Sequence, residues 1–131
     1  MKGKNKFQTI LVAALISVVI NSCKKDDAPD RDKFLGTWSV SSNGSVSGPL
    51  NWPMTITASN SSPDQILIKD FDLQTGTTTI ASVSGNSFSF STQHIGSETV
   101  QGSGTYNGTL TFHYTADDGQ KVDDVNATAR K

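Results

Sequence analysis

Residues 101–116, QGSGTYNGTLTFHYTA, decide the fold. Leu110, Phe112 and Tyr114 alternate with Thr111, His113 and Thr115, the period of two that puts one face of a strand in a core and the other in water. Asn107-Gly108, just before that run, supplies the positive φ of a two-residue hairpin turn, with a second alternating segment on its other side. Downstream, Asp118-Gly119 repeats the signal ahead of Val125, Ala127 and Ala129. Upstream, Gly85-Asn86 and Thr75-Gly76 do the same, so the second half reads as a meander of antiparallel neighbours.

Working outward, the whole segment from Phe34 onward is Ser/Thr-rich alternation broken by Gly, Asn and Asp, with no sustained helical period. The expected strands are Leu35–Ser42, Met54–Ser59, Gln65–Leu73, Thr77–Ser84, Ser87–Gln93, Thr99–Tyr106, Thr109–Ala116 and Lys121–Ala129. The expected dry face carries Trp38/Val40, Met54/Ile56/Ala58, Ile66/Ile68, Phe88/Phe90, Leu110/Phe112/Tyr114 and Val125/Ala127/Ala129. Pro53 fits only a strand start, and Asn43–Trp52 before it reads as a long loop. In Gln65–Leu73 the parity slips between Ile68 and Phe71, for which a bulge near Lys69-Asp70 would account. About eight strands roughly 12 residues apart predict an all-β domain, a small up-and-down barrel or a two-sheet sandwich.

The amino-terminal side is of a different kind. Lys2, Lys4 and Lys6 precede the apolar run Ile10–Ile20 (ILVAALISVVI), which ends at Ile20-Asn21-Ser22-Cys23 and a charge cluster, Lys24-Lys25-Asp26-Asp27. The run is signal-peptide length and shorter than the ~20 residues a helix needs to cross a bilayer. With Ser22 directly before the cysteine and Ile20 three positions before it, the stretch resembles the lipobox of bacterial lipoproteins. That resemblance implies cleavage before Cys23, a diacylglycerol thioether on its sulfur and, usually, a further acyl chain on the new amino terminus. Two or three chains, palmitate among them, hold a protein stably at ~0.8 kcal/mol per buried methylene, where one would not. The cluster after the cysteine resembles the one many Bacteroidota lipoproteins carry, in some of which it acts as an export signal. It implies an outer-membrane, lipid-anchored location, cell-surface or periplasm-facing.

The domains expected are therefore a signal peptide (1–22), a lipidated Cys23 with a flexible charged tether (23–33) and a β domain (34–131). KKDDAPDRDK, residues 24–33, has no large apolar side chain and contains Pro29, so it cannot bury enough to order itself. Its random-coil reach is on the order of 15–20 Å. No cysteine remains for a disulfide once Cys23 carries lipid.

Phe34-Leu35-Gly36-Thr37-Trp38, at the first strand of an up-and-down β domain, resembles the Gly-x-Trp signature of lipocalins and of lipocalin-like domains in small bacterial lipoproteins. The resemblance implies that Trp38, after Gly36, plugs the closed end of a barrel. It also implies a basic side chain packed over that indole, for which Arg130 is the candidate, and a small apolar or amphiphilic ligand. Trp52, Phe71, Phe88, Phe90 and Tyr114 are the candidate lining. The alternative is a filled barrel acting as an interaction module, an accessory subunit or inhibitor of an envelope protein, with Trp52 beside Pro53 as an exposed loop patch.

Composition argues against other classes. From Phe34 onward four basic residues stand against eight acidic ones, and without clustered Lys or Arg no nucleic-acid partner is expected. His94 is expected to point inward at a barrel mouth and His113 outward, with no third ligand at a recognisable spacing, so no metal or other cofactor is expected. Asp117-Asp118 and Asp123-Asp124 flank one turn and read as turn formers. No nucleophile elbow or phosphate loop appears, so the chain is not expected to be an enzyme.

Overall fold

The computed structural model describes residues 28–131. The expected signal peptide, Cys23 and the first part of the expected tether lie outside the described residues. Eight strands, β1 (Gly36–Gly44), β2 (Gly48–Ala58), β3 (Gln65–Lys69), β4 (Thr78–Ser84), β5 (Ser87–Ile95), β6 (Glu98–Tyr106), β7 (Leu110–Asp117) and β8 (Val122–Arg130), run antiparallel in chain order. Each pairs with the next, and β1 pairs with β8 through Ser39↔Arg130 to Gly44↔Val125, which closes the sheet into an up-and-down barrel. The sandwich alternative is thereby excluded.

The alternation sets the register. One inward row runs Phe88↔Gly104↔Phe112↔Ala127↔Ser42↔Leu50 around the barrel, and the outward neighbours on either side are serines, threonines, His113 and Asn126. Slipping one strand by a residue would turn its apolar set into water, so the pattern enforces the pairing. Phe88 reaches across to β6 because residue 104 is glycine: a Cβ there would lie 2.6 Å from the Phe88 ring and from Phe112 Cβ. Every buried apolar residue described falls between Phe34 and Ala129. The barrel carries its own core and folds as a unit.

Three sequence expectations are corrected. The flexible tether does not extend to Lys33, because Asp30–Phe34 form a 3-10 turn packed on the barrel end. There Arg31 Nη1 donates to the carbonyls of Ser59, Ser62 and Gln65 at 2.8, 2.7 and 3.3 Å. Lys33 Nζ donates to Gly85 O and Asn86 Oδ1 at 3.0 and 2.6 Å. The turn is charged, yet beside its own Lys33–Asp30 pair at 3.7 Å its cations find carbonyl partners on the folded barrel.

The second strand starts at Gly48, not Met54, with both Pro49 and Pro53 inside it. Its pairing with β3 covers only Thr55 to Ala58, so over Gly48–Met54 one side has no ladder, the setting in which a proline is tolerated. The third correction follows. No bulge extends β3 to Leu73; the strand stops at Lys69, and Asp70, Asp72 and Leu73 take left-handed backbone at φ 55°, 53° and 64°. The short β3 leaves the upper wall beside β2 to the loop 70–77.

Candidate functional site

The two ends of the barrel differ. At the end where β1 begins, Phe34 from the 3-10 turn is fully buried against Phe88 and Tyr106, with ring centroids at 5.6 and 6.0 Å. Trp38 is buried beside it and its indole Nε1 donates to Phe34 O at 2.8 Å. The cation over the indole is Lys131, whose Nζ lies 4.7 Å from the ring centroid. Arg130 is not that partner: strand parity in β8 makes Ala129 inward and Arg130 outward, and only the next residue reaches back under the barrel. Gly36, at φ 122°, lets the chain pass that lysine, whose Cε would stand 3.3 Å from a Cβ. Phe34, Trp38 and Lys131 close this end.

At the opposite end the loop 70–77 folds Phe71 into the barrel. Phe71 is fully buried, with Trp52, Phe90, Phe112 and Tyr114 around it at centroid distances of 5.6, 5.3, 6.2 and 4.6 Å. The five candidate lining residues are thus brought together, Phe88 through its stack on Phe90. They do not line an open cavity: they pack on one another in edge-to-face, tilted and, for Phe88 on Phe90, stacked pairs. Trp52 is likewise no exposed loop patch. It is buried on β2, its Nε1 donating to Ser42 Oγ at 3.2 Å.

Polar groups ring this second end. Tyr114 Oη donates a short hydrogen bond to Asp72 Oδ1, and the Glu98 carboxyl faces that of Asp72 closely enough for each to perturb the other's proton. Burial raises the Asp72 pKa against the opposing effect of the Tyr114 bond. Burial and then the Asp72 charge raise that of Glu98. Burial and then the bond to Asp72 push Tyr114 far above the ordinary phenol value. Glu98 Oε2 is buried without a hydrogen-bond partner. Neither Asp72 nor Glu98 was singled out from sequence; the departure of Asp70 to Leu73 from strand parity was the available signal.

The remaining acids at this end form turns, as expected. Asp118 Oδ1 accepts from Gln120 N and Lys121 N, and Asp117 Oδ1 from Gly119 N. Burial works against the Asp123 charge, but Ser47 and the amides of Val46 and Ser47 outweigh it and hold its pKa down. With Asp70 and Asp124, seven of the eight acidic residues from Phe34 onward lie at this end, beside Lys69 and Lys121, whereas Arg31, Lys33, Arg130 and Lys131 sit at the other with Asp30, Asp32 and Asp64. The barrel is electrically polarised along its axis.

The histidines divide. His113 faces outward as expected and pairs with Asp124 Oδ1 at 2.6 Å. His94 is exposed, not inward, with Nδ1 3.0 Å from Thr99 Oγ1. An irregularity in β5 between Phe90 and Gln93 shifts the register and reverses the parity that Phe88 and Phe90 had set. A shallow trough of about 1020 Å³ crosses the outer wall between rows of outward side chains that include Ser82, Ser87, Ser103, Thr111, His113 and Asn126. Its lining also takes in Ser42, Phe88, Gly104, Phe112 and Ala127 of the inward row.

No family model matches the chain, and no curated protein matches it. Among solved structures it is similar to a redesigned β-barrel, at 16% identity and TM-score 0.57, over 79% of this chain and 96% of that one. The likeness is one of fold.

Proposed function

We propose that the chain is a non-catalytic, lipocalin-like lipoprotein, anchored in the outer membrane through Cys23, that binds a small apolar or amphiphilic ligand at the end of the barrel far from its anchor. Chain direction supports the orientation. The tether enters the barrel at Asp30, at the end carrying Arg31, Lys33, Arg130 and Lys131. Lipid on Cys23 therefore puts this end, where four basic residues offset Asp30, Asp32 and Asp64, toward the headgroups. The acidic end, with its loop, points away.

One observation carries the ligand reading. Phe71, at the centre of the aromatic set, comes from a loop and not from a strand, so the interior can be uncovered without breaking a ladder. The other reading, an interaction module of an envelope complex, has its own support: the aromatic interior is filled as it stands.

Native mass spectrometry on residues 24–131, purified gently from host extract, separates the two. A reproducible extra mass released on denaturation is expected; a bare domain, or one arriving with a stoichiometric protein, overturns the carrier in favour of the module. Metabolic labelling with an alkyne palmitate tests the anchor. Label is expected on the native chain and absent from Cys23→Ala, and an unlabelled native chain overturns it.

A further inference from the structure

The loop 70–77 has the features of a moving part. Its three left-handed, non-glycine residues, Asp70, Asp72 and Leu73, are strained unless tertiary contacts hold them. Leu73 is half exposed and contributes little to burial. What holds the loop is Phe71 among the aromatics and Asp72 against Tyr114 and Glu98.

Resting on the ligand reading above, we propose that this loop is a proton-latched lid. With the Asp72 and Glu98 carboxyls protonated it keeps Phe71 seated; with both ionised it swings out and admits the apolar part of a cationic amphiphile, whose amine meets Glu98.

The electrostatics run one way. Asp72 faces Tyr114 of β7, Glu98 of β6 and the charge of Asp123 on β8; Glu98 faces Asp72, the Gln74 amide and the charge of Asp118 in the β7–β8 turn. Asp70, on the loop itself, is occupied with the Gly76 amide at 2.7 Å. The charges acting on the pair from neighbouring elements are thus negative, and ionising both carboxyls sets two like charges together in a half-buried site. Because the closed lid raises both pKa values, closure is favoured below the ordinary carboxylate range and is lost as pH rises through the raised values.

The ligand class follows from what stays behind. When the loop leaves it takes Asp72 and Phe71 with it, while Trp52, Phe90, Phe112, Tyr114 and Glu98 remain on the barrel. A carboxylate with an unpartnered oxygen, near enough to Tyr114 for its charge to act on the phenol, suits an ammonium on an apolar body and repels a fatty anion.

The test uses residues 24–131, which include the whole self-contained barrel, with N-phenyl-1-naphthylamine as fluorescent probe and dodecylamine or dodecanoate as competitor. At about pH 8 the probe is expected to bind at least roughly tenfold tighter than at about pH 4, the ordinary carboxylate range, above which both carboxyls are raised. The D72N/E98Q double variant is expected to bind as weakly at the higher pH as at the lower. Phe71→Ala is expected to bind at both, and dodecylamine to displace the probe at about tenfold lower concentration than dodecanoate. Equal native binding at the two pH values, with Phe71→Ala binding, overturns the latch and leaves the ligand reading standing. Equal potency of the two competitors overturns the amine class. No binding by either protein, with both folded by Trp52 emission, overturns the latch and the ligand reading together. Should Phe71→Ala fail to fold, acrylamide quenching of Trp52 in a Trp38→Phe background decides: a rise with pH supports the lid, and an unchanged value overturns it.

Discussion

Lys131 Nζ stands 4.7 Å from the centroid of the Trp38 indole, so the last residue of the chain closes the end of the barrel that the first strand opens. A cation on a partly desolvated indole face contributes about 0.5–2 kcal/mol. Lys131→Ala is therefore expected to lower the unfolding free energy in a urea titration by about that amount, while Arg130→Ala, on the outer wall, changes it by under about 0.5 kcal/mol. The reverse order would mean that Arg130 takes the place over the indole in solution. Trp38→Ala, which removes a buried indole and orphans its bond to Phe34 O, should cost about 3–5 kcal/mol.

Gly104 meets Phe88 by contact, not by turn conformation. A Cβ at 2.6 Å from the Phe88 ring must displace ring or strand, and overpacking of this kind costs about 1–3 kcal/mol. Gly104→Ala should lower the thermal midpoint accordingly. Pairing it with Phe88→Leu should recover part of the loss; strict additivity of the two would show that the ring is not what the methyl meets.

Arg31 ties the entering chain to three carbonyls of the β2–β3 connection. Hydrogen bonds to a charged group are worth about 1.5–3 kcal/mol net, so Arg31→Ala should destabilise by about that much. Truncation is the companion experiment. A chain starting at Ala28 should match one starting at Lys24 in midpoint, and a chain starting at Leu35, which also lacks Phe34, should be several kcal/mol weaker. Equal stability of all three would show the 3-10 turn to be ornamental.

Stability should peak in mild acid. Asp72 and Glu98 have raised pKa values in the fold, so their contribution is present below the ordinary carboxylate value and is lost as pH rises through the raised ones. Asp64, Asp118 and Asp123 are depressed, chiefly by Ser62, by the Lys121 and Gln120 amides, and by the Val46–Ser47 corner against burial. Their contribution is present above the ordinary value and lost as pH falls through the depressed ones. Urea midpoints from about pH 3 to 9 trace this, and the D72N/E98Q variant should flatten the alkaline limb only. A midpoint rising steadily to the alkaline end would contradict the assignment of the pair.

The sequence by itself determined the strand count, the inward face of six of the eight strands and the hairpins at Gly85, Gly108 and Gly119, all of which carry positive φ. These are local properties: a period of two and a glycine where the backbone turns left are written in neighbouring residues. The aromatic set was legible for the same reason, since parity alone sends Phe88, Phe90 and Tyr114 inward. Tertiary structure decided everything that depended on a distant partner. Pro49 and Pro53 fit inside a strand only because β3 is too short to reach them. Asp30–Lys33 order only because barrel carbonyls await Arg31 and Lys33. His94 turns outward because an irregularity in β5 reverses its parity. Asp72 met Tyr114, 42 residues away, only when the chain closed. Closure itself, Ser39 against Arg130, is a pairing of the two ends of the domain, and no local pattern encodes which strand the last one meets.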